Sequence, residues 1–191
     1  MSLRIIGGSF KGRLLKAPTG PLSRPTMSIM RKAVFDICQS VIEDAHFLDL
    51  FACSGAMGIE ALSRGAAHAT FIEKDKKTIS YLIENIKTLE LEKQTTLLAG
   101  DVFTQLKRLK APYHILYIDA PYPLTESSDR PIEKLLTFFD QSSLLVENSL
   151  VFIEERAPGT QIPRMPLTQL AYKNTRQFGS SLLHQWEYHS N

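Results

Sequence analysis

The chain has 191 residues and a formal net charge of +2 at pH 7, with 43% hydrophobic and 22% charged residues. This length and composition predict one soluble globular domain with a substantial core. No apolar run is long enough to span a membrane, and no charged-then-apolar signal segment opens the chain. Cys38 and Cys53 lack CxxC spacing, which argues against a zinc site or a disulfide framework. We therefore expect a cytoplasmic protein without a metal.

The predicted elements begin with a glycine-interrupted β-hairpin or arm over residues 3–15 and a proline-rich loop. Ser28 is predicted to cap a helix that runs as far as Val41. Further strands are predicted at 46–51, 69–72, 95–98, 114–118 and 149–155, further helices at 56–64, 76–88, 102–109 and 131–139, and two terminal strands within 168–188.

This alternation predicts an α/β fold. We expect a Rossmann-like, doubly wound, seven-stranded sheet that is mostly parallel, with an antiparallel C-terminal hairpin and a short N-terminal β-hairpin arm. Residues 1–25 are interpreted as a basic arm and residues 26–191 as the single globular domain.

The start of the chain is strongly basic. Residues 1–32 contain seven cations and no Asp or Glu, with glycines and a phenylalanine interleaved. Such a segment is a candidate contact for a phosphate backbone. The alternative is a solvated tail that simply lacks acids. The seven cations are Arg4, Lys11, Arg13, Lys16, Arg24, Arg31 and Lys32.

A loop of small residues follows the strand that contains Asp49, and a helix follows the loop. In open α/β sheets a turn at this position binds nucleotides. A dinucleotide site is disfavoured because Cys53 replaces the first glycine of G-x-G-x-x-G, and no Gly-Lys-Ser/Thr triplet is present for a P-loop. Asp49 favours a cationic group such as an amine or a sulfonium. The alternative is an ordinary strand–turn–helix capped by Ser54.

Acidic residues follow the other strands as well. Glu73 lies where an acid can accept hydrogen bonds from a ribose diol, with Asp75 as the alternative residue for that role. Asp101 is a candidate acceptor from an adenine amino group, or a helix N-cap. Together with Asp49 and Asp119 these acids are expected at one edge of the sheet.

The segment Asp119-Ala120-Pro121-Tyr122 follows another buried strand. The acid and the turn carbonyls can accept hydrogen bonds from an exocyclic amine, and the tyrosine ring can stack on a flat base. The alternative is an ordinary turn with a half-buried tyrosine.

These segments together resemble a class I S-adenosylmethionine-dependent methyltransferase, and more narrowly the RsmD family, which methylates N2 of a guanine in bacterial small-subunit ribosomal RNA. The similarity covers nearly the whole chain. It includes Arg4-Ile5-Ile6-Gly7-Gly8, Lys11-Gly12-Arg13, Arg24-Pro25-Thr26, 49–55, 60–66, 71–75 and Asp119-Ala120-Pro121-Tyr122. The resemblance implies S-adenosylmethionine as cofactor, S-adenosylhomocysteine as product, and ribosomal RNA or the small ribosomal subunit as partner of a monomeric enzyme.

The resemblance also implies roles for individual residues. The expected target-base residues are Asp119, Ala120, Pro121 and Tyr122. The expected cofactor residues are Arg24, Thr26, Asp49, Phe51, Ala52, Ser54, Gly55, Glu73, Lys74, Asp101, Val102 and Asp119. The expected RNA contacts are Arg4, Lys11, Arg13 and Arg31.

The chain departs from the family pattern at two places. Ala120 replaces a proline of the usual Asp-Pro-Pro-Tyr, which loosens the turn and adds an N–H. Ile29 lies where an arginine is common, so the RNA or phosphate contact of such an arginine is not expected at this position. Two alternative functions stay open: methylation of another amine, such as adenine N6 in nucleic acid or a protein glutamine, and a non-catalytic RNA-binding module. A nicotinamide dehydrogenase is disfavoured by the missing glycine.

Overall fold

The computed structural model describes residues 3–18, 28–110, 112–121, 131–157 and 166–190. Its helices are α1 (Ser28–Ile37), α2 (Ala56–Ser63), α3 (Lys76–Thr88), α4 (Val102–Gln105) and α5 (Pro131–Asp140). Its strands are β1 (Leu3–Arg4), β2 (Leu14–Leu15), β3 (His46–Leu50), β4 (His68–Glu73), β5 (Thr95–Ala99), β6 (Tyr113–Ile118), β7 (Leu145–Arg156), β8 (Leu170–Phe178) and β9 (Ser181–Tyr188).

Seven strands form one sheet in the order β5-β4-β3-β6-β7-β9-β8. The five strands from β5 to β7 run parallel, and β9 pairs antiparallel with both β7 and β8. The predicted fold class is therefore confirmed, including the terminal hairpin. The predicted helix over 102–109 is a short α-helix continued by a 3₁₀ turn at Leu106–Arg108, and α1 likewise ends in a 3₁₀ turn at Cys38–Ser40.

The central strands are buried on both faces, which explains why they read as continuous apolar runs. On one face Phe47 and Phe71 pack in a core with α1, α2 and α3. On the other face Leu48 and Leu50 pack in a second core with α4 and α5. Because side chains alternate along a strand, Asp49 lies on the first face, towards α2.

The N-terminal hairpin is part of the first core. Leu3, Ile5 and Leu15 are buried in it. The backbone N–H of Ile6 donates to the Glu60 carboxylate at 2.9 Å, and Ser63 of α2 bonds the backbone at residues 7 and 10. The hairpin is thus docked along α2, while the proposed division into an arm and a domain stays a prediction.

Gly8 lies where the hairpin approaches α2 most closely. Its φ is +75°, and a Cβ at this position would lie 1.7 Å from the backbone oxygen of Ser63. Only glycine allows both the positive φ and this approach.

Candidate active site

The site is positioned by the topology of the sheet. The chain places β4 and β5 on one side of β3, then crosses to β6 and β7 on the other side. The carboxyl ends of β3 and β6 therefore flank the point where the strand order reverses, and open α/β sheets bind ligands in that crevice. Asp49 and Asp119 lie at these two ends.

The loop between β3 and α2 has an unusual backbone. Phe51, Cys53 and Gly55 have φ angles of 63°, 51° and 81°. Left-handed conformations cost a non-glycine residue about 1 kcal/mol or more, and such strain concentrates at functional sites. Gly55 is the N-cap of α2 and has no side chain with which to cap it, so the alternative that Ser54 is the N-cap is wrong.

Asp49 is 2% exposed, and its Oδ2 accepts a hydrogen bond from the Gly58 N–H in the first turn of α2 at 3.1 Å. Burial raises the pKa of Asp49 to about 7, opposed by the Gly58 hydrogen bond and assisted by the charge of Glu73. Because burial disfavours the charged form, a cation in the crevice would favour ionisation of this carboxyl.

Glu73 ties the loop to the end of β4. Its carboxylate accepts hydrogen bonds from the backbone N–H groups of Cys53, Lys74 and Asp75 at 2.8, 2.8 and 2.9 Å. A carboxylate has about four acceptor positions, so Glu73 retains capacity for a hydroxyl group. Asp75, the alternative ribose ligand, is the N-cap of α3 and accepts from the Thr78 N–H at 2.7 Å.

Asp101 is the N-cap of α4, where it accepts from the Thr104 N–H at 3.4 Å. The structure therefore shows the helix N-cap, which is the alternative role predicted for Asp101. The side chain is exposed and keeps free acceptor positions, so capping does not conflict with a contact to adenine. Val102 beside it is buried.

Asp119 follows β6 directly. Burial, then the charges of Glu154 and Asp49, raise the pKa of Asp119 well above its ordinary value. Ala120 is buried and Pro121 is exposed. Tyr122, Arg24 and Thr26 lie outside the described residues, so their predicted roles stay predictions.

The pKa of Cys53 shows that three of the strand-end acids lie close to one another. Burial raises the pKa of its thiol to about 11, and the charges of Glu73, Asp119 and Asp49 all contribute to that rise. With this pKa the thiol is mostly protonated at neutral pH, which lowers its reactivity as a nucleophile. Among the residues that the structure describes, no three His, Cys, Asp or Glu side chains are grouped as a metal site would require.

Glu154 is a buried acid beside Asp119 that the sequence patterns above did not single out. It lies on β7, is 8% exposed, and its Oε2 accepts a hydrogen bond from the Tyr117 hydroxyl at 2.6 Å. It follows the apolar run 150–153, which is the same pattern that identified the other strand-end acids. That pattern could have found it.

The predicted RNA contact at Arg31 does not fit the structure. Its side chain is 2% exposed, and Nη2 donates to the carbonyl of Arg4 at 2.8 Å, beneath the hairpin. A buried guanidinium cannot meet a phosphate on the surface, and burial lowers its pKa. Arg4, Lys11 and Arg13 are exposed on the hairpin, as an RNA contact requires.

None of the described helices is long and apolar enough to cross a membrane.

Comparison with known proteins identifies the family. The sequence model of the family described as "Conserved hypothetical protein 95" matches residues 3–187. The chain belongs to this family. The family assignment confirms the resemblance to RsmD that the motifs indicated.

Two relatives of known name align with most of this chain. The chain is 35% identical over 155 residues to "Putative rRNA methyltransferase YlbH" of Bacillus subtilis, covering 80% of this chain and 82% of that protein. It is 34% identical over 164 residues to "Ribosomal RNA small subunit methyltransferase D" of Escherichia coli strain K12, covering 86% and 79%.

Solved structures agree with the fold. "Putative methyltransferase yhhF" of Escherichia coli superposes with a TM-score of 0.85 at 28% identity and covers 100% of both chains. An RNA methyltransferase of Salinibacter ruber in complex with S-adenosylhomocysteine has a TM-score of 0.62 at 14% identity, covering 88% and 95%. The second likeness shows the shared fold alone.

Proposed function

We propose that this protein transfers a methyl group from S-adenosylmethionine to the exocyclic N2 amine of a guanine in small-subunit ribosomal RNA. One observation carries the proposal: in a chain of this family, Asp49, Glu73 and Asp119 are brought together at the point where the strand order reverses. The concentration of carboxylates supports a cationic ligand, and the relatives named as ribosomal RNA methyltransferases support the substrate class.

The cofactor, when bound, supplies a methyl group on a positively charged sulfur that leaves as a neutral thioether. The chain's own residues bind and orient. Asp49 offers negative charge at the start of α2, and Glu73 has acceptor capacity left for the ribose hydroxyls. Asp101 and Val102 would frame the adenine, and Arg24 and Thr26 would complete the cofactor site.

The target amine would meet Asp119. The lone pair of a guanine amine is delocalised into the ring, and an acceptor at Asp119 with the Ala120 carbonyl would localise it as attack begins. The raised pKa of Asp119 makes its carboxylate a stronger proton acceptor, so the proton that the amine loses can pass to it or to water. Tyr122 would replace part of the stacking that a flipped base gives up.

The hairpin would contact the RNA outside the crevice. Arg4, Lys11 and Arg13 are exposed and lie on a segment held firmly against α2. A fixed basic surface beside the site can position the phosphate backbone without reading sequence. The proposal includes a cytoplasmic, monomeric enzyme that acts on ribosomal RNA or on the assembled small subunit.

The test is methyl transfer from radiolabelled S-adenosylmethionine to small subunits and to free ribosomal RNA from cells that lack this gene, with genomic DNA as a competing substrate. Nuclease digestion and mass analysis should identify N2-methylguanosine. N6-methyladenosine would favour the alternative amine methylation, and an absence of cofactor binding would favour the non-catalytic RNA-binding module.

Asp119→Ala separates binding from catalysis. We expect the methyl-transfer rate to fall by about 100-fold or more, because a charge-stabilising group is lost, while the cofactor Kd changes little. Asp36→Ala, an exposed acid of α1, is the matched control and should behave like the wild type. An equal loss of cofactor binding and rate in Asp119→Ala would contradict the assigned role.

A further inference from the structure

We propose that Glu154 is a second carboxylate of the target-base site and that it selects guanine by accepting the N1–H of the base beside Asp119. This inference rests on the proposed function and deepens it. It assigns the choice of base to a pair of carboxylates, Asp119 directly after β6 and Glu154 near the carboxyl end of β7.

The strand register places the two acids side by side. β6 and β7 run parallel with Ile118 opposite Ile153, so Asp119 and Glu154 occupy the next pair of positions. Phe152 and Tyr117 belong to the core on the α2 face, and alternation puts Glu154 and Asp119 on that same face. The charge of Glu154 reaches Asp119 strongly enough to raise its pKa.

The Tyr117 hydroxyl gives the Glu154 carboxylate a fixed orientation, since it donates to Oε2 at 2.6 Å from the neighbouring strand. A carboxylate held in one orientation presents its acceptor oxygens in one direction, so it can distinguish ligands by where they carry N–H donors.

The chemistry of purines decides which ligand fits. The Watson–Crick edge of guanine presents N1–H and an N2 amine, two donors side by side, whereas adenine presents an acceptor at N1 beside its amine. Two adjacent carboxylates match the first edge. An ionised carboxylate facing the N1 acceptor of adenine would be unpaired and repelled, and a site built for a hydrogen bond rejects an analogue that lacks it by large factors.

The adjacent residue offers a matched control. Glu155 is also buried, 6% exposed against 8% for Glu154, but it lies on the opposite face of β7. There its carboxylate contacts His184 Nε2 at 3.2 Å. Glu155→Gln and Glu154→Gln thus make the same chemical change at similar depth, one of them away from the crevice.

The first experiment is kinetic. Small subunits from cells lacking the gene are methylated across pH by wild type, Glu154→Gln and Glu155→Gln. Glu154→Gln should lower kcat/KM by roughly 10-fold or more, since a hydrogen bond to a charged group is lost. The acidic limb of its pH–rate profile should also move to lower pH, because removing a neighbouring negative charge lowers the pKa of Asp119. The pH–rate profile of Glu155→Gln should keep the acidic limb of the wild type.

The second experiment tests base choice. The nucleotide that the wild type methylates is located by mass mapping, and ligated RNA is prepared with guanine or 2-aminopurine there. 2-Aminopurine keeps the amine but lacks N1–H. The wild type should strongly prefer guanine, and Glu154→Gln should lose most of that preference. Tyr117→Phe, which keeps the carboxylate but removes its fixed donor, should reduce the preference partially.

The outcomes are distinguishable. If the wild type methylates no RNA, the proposed function fails. If the wild type methylates guanine and Glu154→Gln retains both its preference over 2-aminopurine and its acidic limb, the role of Glu154 is overturned. Measurements of the cofactor Kd and of thermal unfolding show whether Glu154→Gln is misfolded. If it is, the preference of Tyr117→Phe for guanine over 2-aminopurine decides: an unchanged preference rejects the proposal, and a reduced preference supports it.

Discussion

From the raised pKa of Asp49 we predict that cofactor binding is coupled to proton release. Its carboxyl is fully enclosed by β3 and α2, and its pKa is raised to about 7. A cationic cofactor favours the ionised form, so binding at neutral pH should expel a proton from protein molecules in which Asp49 is protonated. Asp49→Asn removes this titration while retaining an oxygen that can accept from the Gly58 N–H.

The magnitude follows from the pKa. With a value of about 7, the ionised fraction of Asp49 rises from about one eleventh at pH 6 to about ten elevenths at pH 8. If binding requires the ionised form, affinity should rise about tenfold over this range, or about 1.4 kcal/mol. About half a proton should be released per cofactor bound at pH 7.

Isothermal titration calorimetry at pH 6, 7 and 8, in two buffers of different ionisation enthalpy, measures both quantities. The cofactor's own ionisation is common to all proteins tested, so the difference between wild type and Asp49→Asn isolates Asp49. Asp36→Asn, an exposed acid, is the control. Identical pH dependence in wild type and Asp49→Asn would show that Asp49 does not release a proton when the cofactor binds.

The same pKa has a consequence for folding. In the unfolded chain Asp49 ionises near its ordinary value of 3.8, and in the folded protein near 7, so the native state binds more protons between these values. The free energy of unfolding should therefore fall as pH rises from about 4 to 7, and Asp49→Asn should flatten this slope in thermal unfolding without cofactor. A wild-type slope that Asp49→Asn leaves unchanged would be inconsistent with this pKa.

Two further predictions concern the hairpin. Gly8→Ala should destabilise the protein by about 2–4 kcal/mol in urea unfolding, because the added Cβ would strike a backbone oxygen of α2. Gly12→Ala should cost only about 1 kcal/mol, since its φ is also positive but nothing lies within 4 Å; equal costs would contradict the docking argument. Replacing Lys11 and Arg13 by alanine should weaken RNA binding and lower its salt slope by about 0.7–0.9 per lost phosphate contact, and an unchanged slope would remove the hairpin from the RNA interface.

Much of the fold could be predicted from local pattern. Apolar runs such as 114–118 became strands and the helical spacing over 76–88 became α3, because burial on one or both faces imposes a period that the sequence records. The strand-end acids could also be predicted to share an edge. Parallel strands finish on one side of a sheet, so Asp49, Glu73 and Asp119 came together as expected.

The side-chain partners could not be predicted in the same way. The sequence makes Arg31 another cation of a basic segment, yet the hairpin folds over α1 and buries it. Asp75 and Asp101, like Glu73, are acids that follow an apolar strand in the sequence, but each of these two aspartates is a helix N-cap. Whether an acid faces a ligand or a backbone N–H depends on the geometry of the next turn.

The order of elements, the parallel sheet and the acids at its edge can all be predicted from the amino-acid pattern, because each follows from short-range periodicity and strand direction. The strand order that brings β7 beside β6, and so places Glu154 next to Asp119, is visible only in the folded molecule. Contacts between residues far apart in the chain depend on how sheets and helices pack. No local pattern encodes that packing.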